Sequence, residues 1–387
     1  MNELTRLILE DMKPALGVTE PGAIAFAAAK AKSYTYGEAE YISVKLNSGM
    51  YKNAFTCGIP NSLETGSAFA AALGVIAGKD ELGLEVLSDV MPEDTKRAKR
   101  LIEQEKVEVI LKGISSRIFI EVKVKTAFDE AVVTIEDAHM NITKIVVNGE
   151  TKLGKSEEDK EQNVERDEKQ IHQYTFQQLY EYVDSESVEE LEFMWEAYHV
   201  NLELFEEGMK SPRTTFAKHL LKRNGGKVFS EDEQRTASLL CNATIEARVL
   251  GLNKPAMSIT GSGAHGIIAT MPLYAAYKIN SYSKERLLRA TALSYLICMY
   301  IKEYSGKLSA FCGCAIAAGT GMACGLVYLR GGTVKMMEET INNMAGSITG
   351  MICDGGNQGC TMKGIVAVDA AYQSVELAMD EVCGKNW

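Results

Sequence analysis

Proline is scarce in this chain of 387 residues, which contains seven prolines, and acidic residues (52) outnumber basic ones (41). The low proline content, with 46% hydrophobic and 24% charged residues, excludes a disordered or fibrous chain and is typical of an ordered globular protein. The net charge of −11 argues against nucleic acid or an anionic membrane surface as the main partner, because most of the protein surface would repel either one. A small substrate in a local pocket is compatible with this charge.

Long apolar runs are missing as well. No run reaches the roughly 18 uninterrupted apolar residues of a membrane span, and the glycines of residues 312–329 suit a tightly packed core helix. The first 14 residues include Glu3, Glu10 and Asp11, which is unlike a signal peptide. Nine cysteines, an odd number, with no sign of secretion indicate reduced thiols without disulfides. We therefore expect a cytoplasmic protein that does not bind a membrane.

The length predicts two domains, of which the first covers residues 1–152. Its apolar spacing changes between the helical and the strand period, and the predicted strands follow one another closely. These patterns predict an α+β domain with a small, mostly antiparallel sheet. The predicted helices are 1–13, 21–32, 66–77 and 93–104, and the predicted strands are 41–46, 117–126, 131–136 and 142–147.

Residues 153–170 are almost wholly charged or polar and predict a solvated connector. From residue 171 to 387 nearly every apolar pattern has helical spacing, and no strand pattern is visible. We therefore expect an all-α C-terminal domain. Its predicted helices are 176–183, 189–205, 214–221, 231–249, 273–277, 285–302, 314–328, 334–348 and 365–379.

Two cysteines near the C-terminus, Cys353 and Cys360, are separated by six residues, of which three are glycines. Such a loop lets the backbone approach a bulky group while two sulfurs point at it. A third thiolate from Cys312 or Cys314 would complete a three-cysteine site. A 4Fe-4S cluster held in this way keeps one iron open as a Lewis acid. Buried structural cysteines and a tetrahedral zinc site are the alternatives.

Three further segments could bind a small carboxylate. Thr19 can cap a helix that begins at Pro21 and so present free N–H groups to an anion. Lys52 and Asn53 lie in a polar turn and could bind a carboxylate or serve acid–base chemistry. The glycine-rich loop around Ser262 and Gly263 matches neither a Walker loop nor a dinucleotide-binding fingerprint, and an anion nest is the better interpretation. Ordinary capping and solvated loops remain the alternatives.

Six motifs occur in the order found in one family. They are Gly17-Val18-Thr19-Glu20-Pro21, Tyr51-Lys52-Asn53, His139-Met140-Asn141-Ile142, residues 257–266, Leu308-Ser309-Ala310-Phe311-Cys312 and residues 350–363. With these motifs the whole chain resembles the L-cysteine desulfidase family, which is related to the iron-sulfur L-serine dehydratases. The most specific part is Gly-Met-Ile-Cys-Asp-Gly from Gly350 to Gly355.

The resemblance implies a 4Fe-4S cluster with Cys312, Cys353 and Cys360 as ligands. Cys314 is the less favoured third ligand, because that position is often a small residue in the family. Cys383, near the C-terminus, is a further candidate for reaching the cluster.

The sequence also departs from the family at two places. Val18 replaces a usual cysteine, and Ala264 stands where the family has asparagine. These changes put the activity on cysteine in particular into question.

The chemistry implied is α,β-elimination from a small β-substituted amino acid, most simply L-cysteine to pyruvate, ammonia and sulfide. His139 and His265 are candidate bases, since imidazole titrates near neutral pH. The alternatives are L-serine dehydration, a zinc site, and a non-catalytic amino-acid-binding relative.

A homo-oligomer is compatible with the sequence. The resemblance also implies roles for other residues. Lys52 would act as a catalytic cation, and Glu20 would orient the substrate. The residues that would bind the substrate are Thr19, Asn53, Asn141, Ser262 and Gly263.

Overall fold

The structure is a computed structural model that describes residues 1–154, 170–306 and 308–384. The N-terminal region contains α1 (Glu3–Asp11), β1 (Lys13–Leu16), α2 (Thr19–Ser33), β2 (Ala39–Asn47), α3 (Ser48–Tyr51), α4 (Ser67–Ala77), α5 (Pro92–Glu103), β3 (Val107–Gly113), β4 (Phe119–Thr126), β5 (Glu130–Glu136), β6 (Ile142–Val147) and β7 (Glu150–Gly154). The C-terminal region contains α6 (Phe176–Ser185), α7 (Val188–Leu191), α8 (Trp195–Lys210), α9 (Phe216–Arg223), α10 (Glu233–Val249), β8 (Pro255–Ser258), α11 (Gly263–Asn280), α12 (Lys284–Ser305), α13 (Gly319–Leu329), α14 (Val334–Ile348) and α15 (Gly359–Met379).

A six-stranded sheet organises the N-terminal region, in the order β3-β2-β4-β5-β6-β7. Only β2 and β3 pair in parallel, and α4 and α5 provide the crossover between them. Strand β4 alternates as a half-buried strand should, with Ile120, Val122 and Val124 fully buried. The predicted α+β region with a mostly antiparallel sheet is therefore confirmed.

Helices α2 and α4 cover the buried face of this sheet and share its core. They approach closely because Gly74 of α4 has no side chain. A Cβ atom at Gly74 would lie 2.4 Å from the carbonyl oxygen of Ala25 in α2. The N-terminus of α2 is thereby held at one end of the sheet, where the candidate site lies.

The C-terminal region is mainly helical, as predicted, and its core is formed chiefly by α10, α11, α12, α13 and α15. Helix α1 packs into this second core through Leu4, Ile8 and Met12. Among the described residues, no helix is long and apolar enough to cross a membrane.

Two sequence predictions about the ends of elements were wrong. The first helix ends at Asp11, and the next residues form β1, which pairs antiparallel with β8. The C-terminal region therefore contains a strand after all. Each strand has only four residues, and their partners lie about 240 residues apart, so no alternation is visible in the sequence. Thr19 does not cap α2, because it is the first helical residue and Val18 occupies the N-cap position.

Two further predictions concern longer segments. Helix α11 begins at Gly263, ten residues before the predicted start, because its glycines and internal Pro272 obscure the helical period. The predicted connector, 153–170, falls mostly on residues 155–169, which lie outside the described residues. Residues 153 and 154 belong to β7, and Gln170 begins a 3₁₀ turn.

Candidate functional site

A narrow cavity of about 60 Å³ lies where the N-terminal sheet region meets the helical core. Both regions contribute its walls, which combine thiols, basic side chains and two histidines. A larger cavity of about 630 Å³ lies beside it and shares Thr260 and Lys302 with it, but its lining contains no cysteine. The thiol chemistry therefore belongs to the narrow cavity. Its lining includes Val18, Glu20, Lys52, Asn53, His139, Arg248, Thr260, Gly261, Ser262, Ala264, His265, Lys302, Ser309, Phe311, Gly313, Cys314, Cys353, Gly355, Gly356 and Cys360.

Two loops that are 40 residues apart bring the cysteines together. The backbone N–H of Cys312 donates to the carbonyl oxygen of Met351 at 2.8 Å, and that of Cys353 donates to Ala310 at 2.9 Å. These bonds form a short antiparallel bridge around Phe311. The pairing places the thiols of both loops on the same side of the site.

Three thiols, those of Cys314, Cys353 and Cys360, line the cavity, while Cys312 lies just behind and is buried. A hydrogen bond from Cys314 lowers the pKa of the Cys312 thiol, and the same bond raises the pKa of Cys314. Burial raises the pKa of Cys360 to about 11. Cys312 and Cys314 thus share one proton, and thiolate is the form that binds metals.

Among residues 1–154, 170–306 and 308–384, no group of three or more histidine, cysteine, aspartate or glutamate side chains could hold a metal ion as placed. A 4Fe-4S cluster makes a different demand, because each of its cysteines binds a different iron and the sulfurs stand farther apart than the ligands of one ion. Thiols from two facing loops provide donors of the right chemistry for such a cluster.

Lys52 and Asn53 connect the end of α3 to the cysteine loops. The ammonium of Lys52 donates to the Sγ of Cys353 at 3.2 Å and to the carbonyl oxygen of Ser309 at 3.2 Å. Asn53 accepts from the backbone N–H of Gly356 at 2.6 Å through its side-chain oxygen. The polar turn singled out in the sequence therefore holds the loop that contains Cys353 and Cys360.

Two helices begin at the cavity. The N-cap residues of α2 and α11 are Val18 and Ser262, and neither makes a side-chain capping bond. The first turn of α11 therefore leaves backbone N–H groups available to an anion, whereas at α2 Pro21 has no N–H and the Glu20 carboxylate accepts from its own backbone N–H. Thr19 joins the two helix starts, since its hydroxyl donates to the carbonyl oxygen of Gly261 at 3.0 Å. Thr19, Ser262 and Gly263 thus lie together at the two helix starts, where Thr19 holds the helices together instead of capping one.

His265 is buried at the first turn of α11, and its two ring nitrogens face different surroundings. Nδ1 contacts the hydroxyl of Thr260, which itself donates to the carbonyl oxygen of Ile259 at 2.7 Å. With the hydroxyl proton directed at Ile259, the tautomer that fits this contact has the ring proton on Nδ1 and leaves Nε2 as the acceptor. Nε2 lies against Gly313, at the cavity wall. Burial lowers the pKa of His265 well below its usual value, and Lys302 lowers it further.

Glu20 and His139 also line the cavity. Burial opposes ionisation of Glu20, but the charges of His139, Arg248 and Lys52 outweigh this penalty and hold the pKa of the carboxyl below 4.5. His139 is buried and packs against Gly261. Both therefore lie in the cavity lining. Asn141 does not, because it is exposed and donates to the backbone oxygen of Glu136 at 2.9 Å.

The sequence analysis missed three residues of this site: Arg248, Thr260 and Lys302. Arg248 and Lys302 are 3% and 4% exposed, and each lies toward the C-terminal end of a long helix, after a run of mainly buried residues. A basic residue after a long, mostly uncharged stretch of such a helix is the signal that could have identified them. Lys302 donates to the hydroxyl of Ser309 at 3.0 Å, and burial lowers its pKa.

The two departures from the family pattern also lie at the cavity. Val18 packs so close to Gly356 that a Cβ atom there would come within 2.8 Å of its side chain. Ala264 lies in the first turn of α11. Both substitutions therefore change the wall of the site itself.

Comparison with known proteins gives a consistent result. The family described as "Serine dehydratase alpha chain" matches residues 81–386. A UPF0597 protein of Clostridium botulinum (strain Okra / Type B1) is 39% identical, over 100% of this chain and 90% of the relative. UPF0597 proteins of Caldanaerobacter subterraneus subsp. tengcongensis and Clostridioides difficile (strain 630) are each 34% identical, over 98% and 97% of this chain and 88% of each relative.

Proposed function

The chain belongs to the serine dehydratase alpha chain family, as the resemblance predicted, and we propose that it is a lyase acting on a small β-substituted amino acid by α,β-elimination. L-Cysteine is the first candidate substrate, giving pyruvate, ammonia and sulfide. The proposed cofactor is a 4Fe-4S cluster bound by Cys312, Cys353 and Cys360.

The observation that carries the proposal is the meeting of two cysteine loops with a neutral imidazole at one small cavity. Elimination needs an electrophile at the leaving group and a base at the α-carbon. When bound, the cluster would supply the first function, since its open iron is a Lewis acid. The protein's own residues account for the rest.

His265 is the better placed of the two candidate bases. Its pKa is lowered by burial and then by Lys302, so the ring is neutral at working pH. The Thr260 contact directs the lone pair of Nε2 toward the cavity wall at Gly313. A neutral imidazole in this tautomer can accept the α-proton. His139 remains the second candidate.

The charges around the cavity suit a zwitterionic substrate. Lys52, Arg248 and Lys302 are basic, and the two uncapped helix starts add partial positive charge. Glu20 is the carboxylate in the lining and is held ionised, which suits it to accept from the substrate ammonium. An amino acid could therefore be oriented by its carboxylate and its ammonium at once.

L-Serine is the second candidate substrate, and the family description favours it. Elimination from serine would release water in place of sulfide, and the same enamine would then hydrolyse to pyruvate and ammonia. The protein residues would have the same roles in both reactions. Only the leaving atom differs.

The test is to measure pyruvate from L-cysteine and L-serine side by side with protein prepared without oxygen. We expect pyruvate from at least one substrate, and we expect Cys353→Ser to abolish both turnover and the brown cluster absorption. Cys324→Ser is the control, because this thiol is buried outside the cavity near the carbonyl oxygen of Met337. Turnover that persists in Cys353→Ser would contradict the mechanism. Tight amino-acid binding without product would favour the non-catalytic alternative.

A further inference from the structure

Arg248 lies at the end of α10, and its side chain reaches the cavity wall. Only 3% of the residue is exposed. Gly263, the first residue of α11, provides the space, since a Cβ atom there would lie 2.8 Å from the Nε of Arg248. The guanidinium therefore lies directly beside the start of α11.

This buried guanidinium has an unused hydrogen-bonding group. Its Nε is inaccessible to solvent and has no hydrogen-bond partner among the described residues. Burying a charged group without compensation is costly, so such a group usually indicates a missing partner. Burial raises the pKa of Glu20, and the charges of His139 and then Arg248 lower it. That long-range attraction does not satisfy the N–H.

The other two cations at the cavity are already engaged. Lys52 donates to the Sγ of Cys353 and to the carbonyl oxygen of Ser309. Lys302 donates to the hydroxyl of Ser309. Arg248 is therefore the cation best prepared to receive a new anion, and a planar guanidinium matches the two oxygens of a carboxylate.

We propose that Arg248 binds the α-carboxylate of the substrate, with the first backbone N–H groups of α11 beside it, and so restricts the site to free amino acids. The proposal rests on the proposed function for the identity of the ligand as an amino acid. Beyond the proposed function, it identifies Arg248 as the group that selects the carboxylate. Lys52 then serves the cysteine loop instead of the substrate carboxylate.

The test uses binding and not turnover. L-Alanine has the carboxylate and ammonium of the substrates but no leaving group, so its affinity for anaerobically prepared protein can be measured by calorimetry. We expect Arg248→Gln to bind L-alanine about 10- to 100-fold more weakly, the range for a lost charge-assisted hydrogen bond. Arg213→Gln is the matched control, because Arg213 is half-buried and donates to the carbonyl oxygen of Leu250 outside the cavity.

A change in the ligand provides a second measurement that needs no folded variant. L-Alaninamide replaces the carboxylate by a neutral amide, and we expect wild-type protein to bind it about 10- to 100-fold more weakly than L-alanine. In Arg248→Gln the two ligands should bind alike, because the discriminating group is gone.

Three results would overturn the proposal: no binding of L-alanine to wild-type protein, equal wild-type affinity for the acid and the amide, or unchanged L-alanine affinity in Arg248→Gln. Carboxylate-selective binding without pyruvate formation would overturn the proposed elimination and leave this assignment standing.

Discussion

Thr260 sets the orientation of the candidate base. Its backbone has φ 53°, a left-handed conformation that is uncommon for a residue other than glycine. The carboxylate of Asp11 accepts from its backbone N–H and helps to hold it there. In this conformation the hydroxyl reaches both the carbonyl oxygen of Ile259 and the Nδ1 of His265. Strained residues of this kind often position catalytic groups.

Replacing Thr260 by valine keeps the shape of the side chain and removes the hydroxyl. The His265 ring then loses the contact that fixes its tautomer, so we expect kcat to fall about 10- to 100-fold, a part of the usual contribution of a general base. The value of KM should change little. Steady-state pyruvate formation measures both constants. Thr260→Ser, which restores a hydroxyl, should recover most of the rate, and an unchanged kcat in Thr260→Val would show that His265 is oriented in another way.

Glu20 should make part of the stability depend on pH. Its folded-state pKa lies below 4.5, so its ionised form stabilises the fold fully above about pH 4.5, and this contribution is lost as the pH falls through the folded-state value. Glu20→Gln leaves Arg248 without the nearby carboxylate and should lower the free energy of unfolding at pH 7 by about 1–3 kcal/mol.

The difference in unfolding free energy between wild type and Glu20→Gln should become smaller below pH 4.5, where wild-type Glu20 becomes neutral as well. Urea unfolding at several pH values measures this. If this difference in unfolding free energy stayed constant from pH 7 to the most acid pH, the role given to Glu20 would be contradicted.

The sequence points to some residues of the site and misses others. Residues inside motifs, such as Lys52, His139 and His265, were found because their neighbours marked them. Arg248 and Lys302 were not, since both lie in long helices outside the motifs. Asn141 shares a motif with His139, but the turn between β5 and β6 directs it to solvent.

At the scale of elements, close contacts between helices hold the cysteine loops in place. The glycines of residues 312–329 predicted a tightly packed core helix, and α13 is one. At Gly321 a Cβ atom would come within 2.2 Å of the carbonyl oxygen of Ser294 in α12. At Gly319 the nearest atom is the flexible end of Met344, 3.4 Å away.

These two glycines of one helix give a matched pair of variants. Gly321→Ala should force α12 and α13 apart and lower the free energy of unfolding by about 1–3 kcal/mol. Gly319→Ala should be neutral or stabilise the protein by up to about 1 kcal/mol, because alanine is the better helix former. Urea unfolding compares them, and equal effects of both substitutions would contradict the packing described here.

Element prediction succeeded where the apolar pattern is long and failed where it is short. Helices α10 and α12 and strand β4 have enough residues to show their period. Strands β1 and β8 have four residues each and depend on a distant partner. Strand β3 is the exposed, parallel edge of the sheet, where alternation is weak.

At the scale of the whole molecule, the site exists only where the two regions meet. Asn53, from the N-terminal region, accepts from Gly356 of the cysteine loop through its side-chain oxygen. Its Oδ1 also accepts from the thiol of Cys57 at 3.3 Å. This buried amide therefore fixes the distance between the sheet region and the loop.

Asn53→Ala should loosen the cysteine loop without unfolding the protein. We expect faster amide hydrogen exchange in residues 350–360 and a loss of about 1–2 kcal/mol in unfolding free energy, the usual cost of a broken buried hydrogen bond. Asn141→Ala is the control, since that side chain is exposed and does not line the cavity. Equal exchange rates in both variants would show that Asn53 does not hold the loop.

No local pattern could have shown this meeting of regions. The sequence identified the cysteine loops, the polar turn and the helix starts as separate motifs. Their assembly into one cavity depends on tertiary contacts, such as the bond from Thr19 to Gly261, that join residues more than 200 positions apart.

The central claim is that Cys312, Cys353 and Cys360 bind an iron-sulfur cluster for elimination chemistry. It is tested most directly by measuring iron and acid-labile sulfide in anaerobically prepared serine variants of Cys312, Cys314, Cys353 and Cys360. The account predicts that the variants of Cys312, Cys353 and Cys360 lose iron and sulfide together with pyruvate formation, while Cys314→Ser keeps all three. Full iron and sulfide content in the first three variants, or a loss confined to Cys314→Ser, would contradict it.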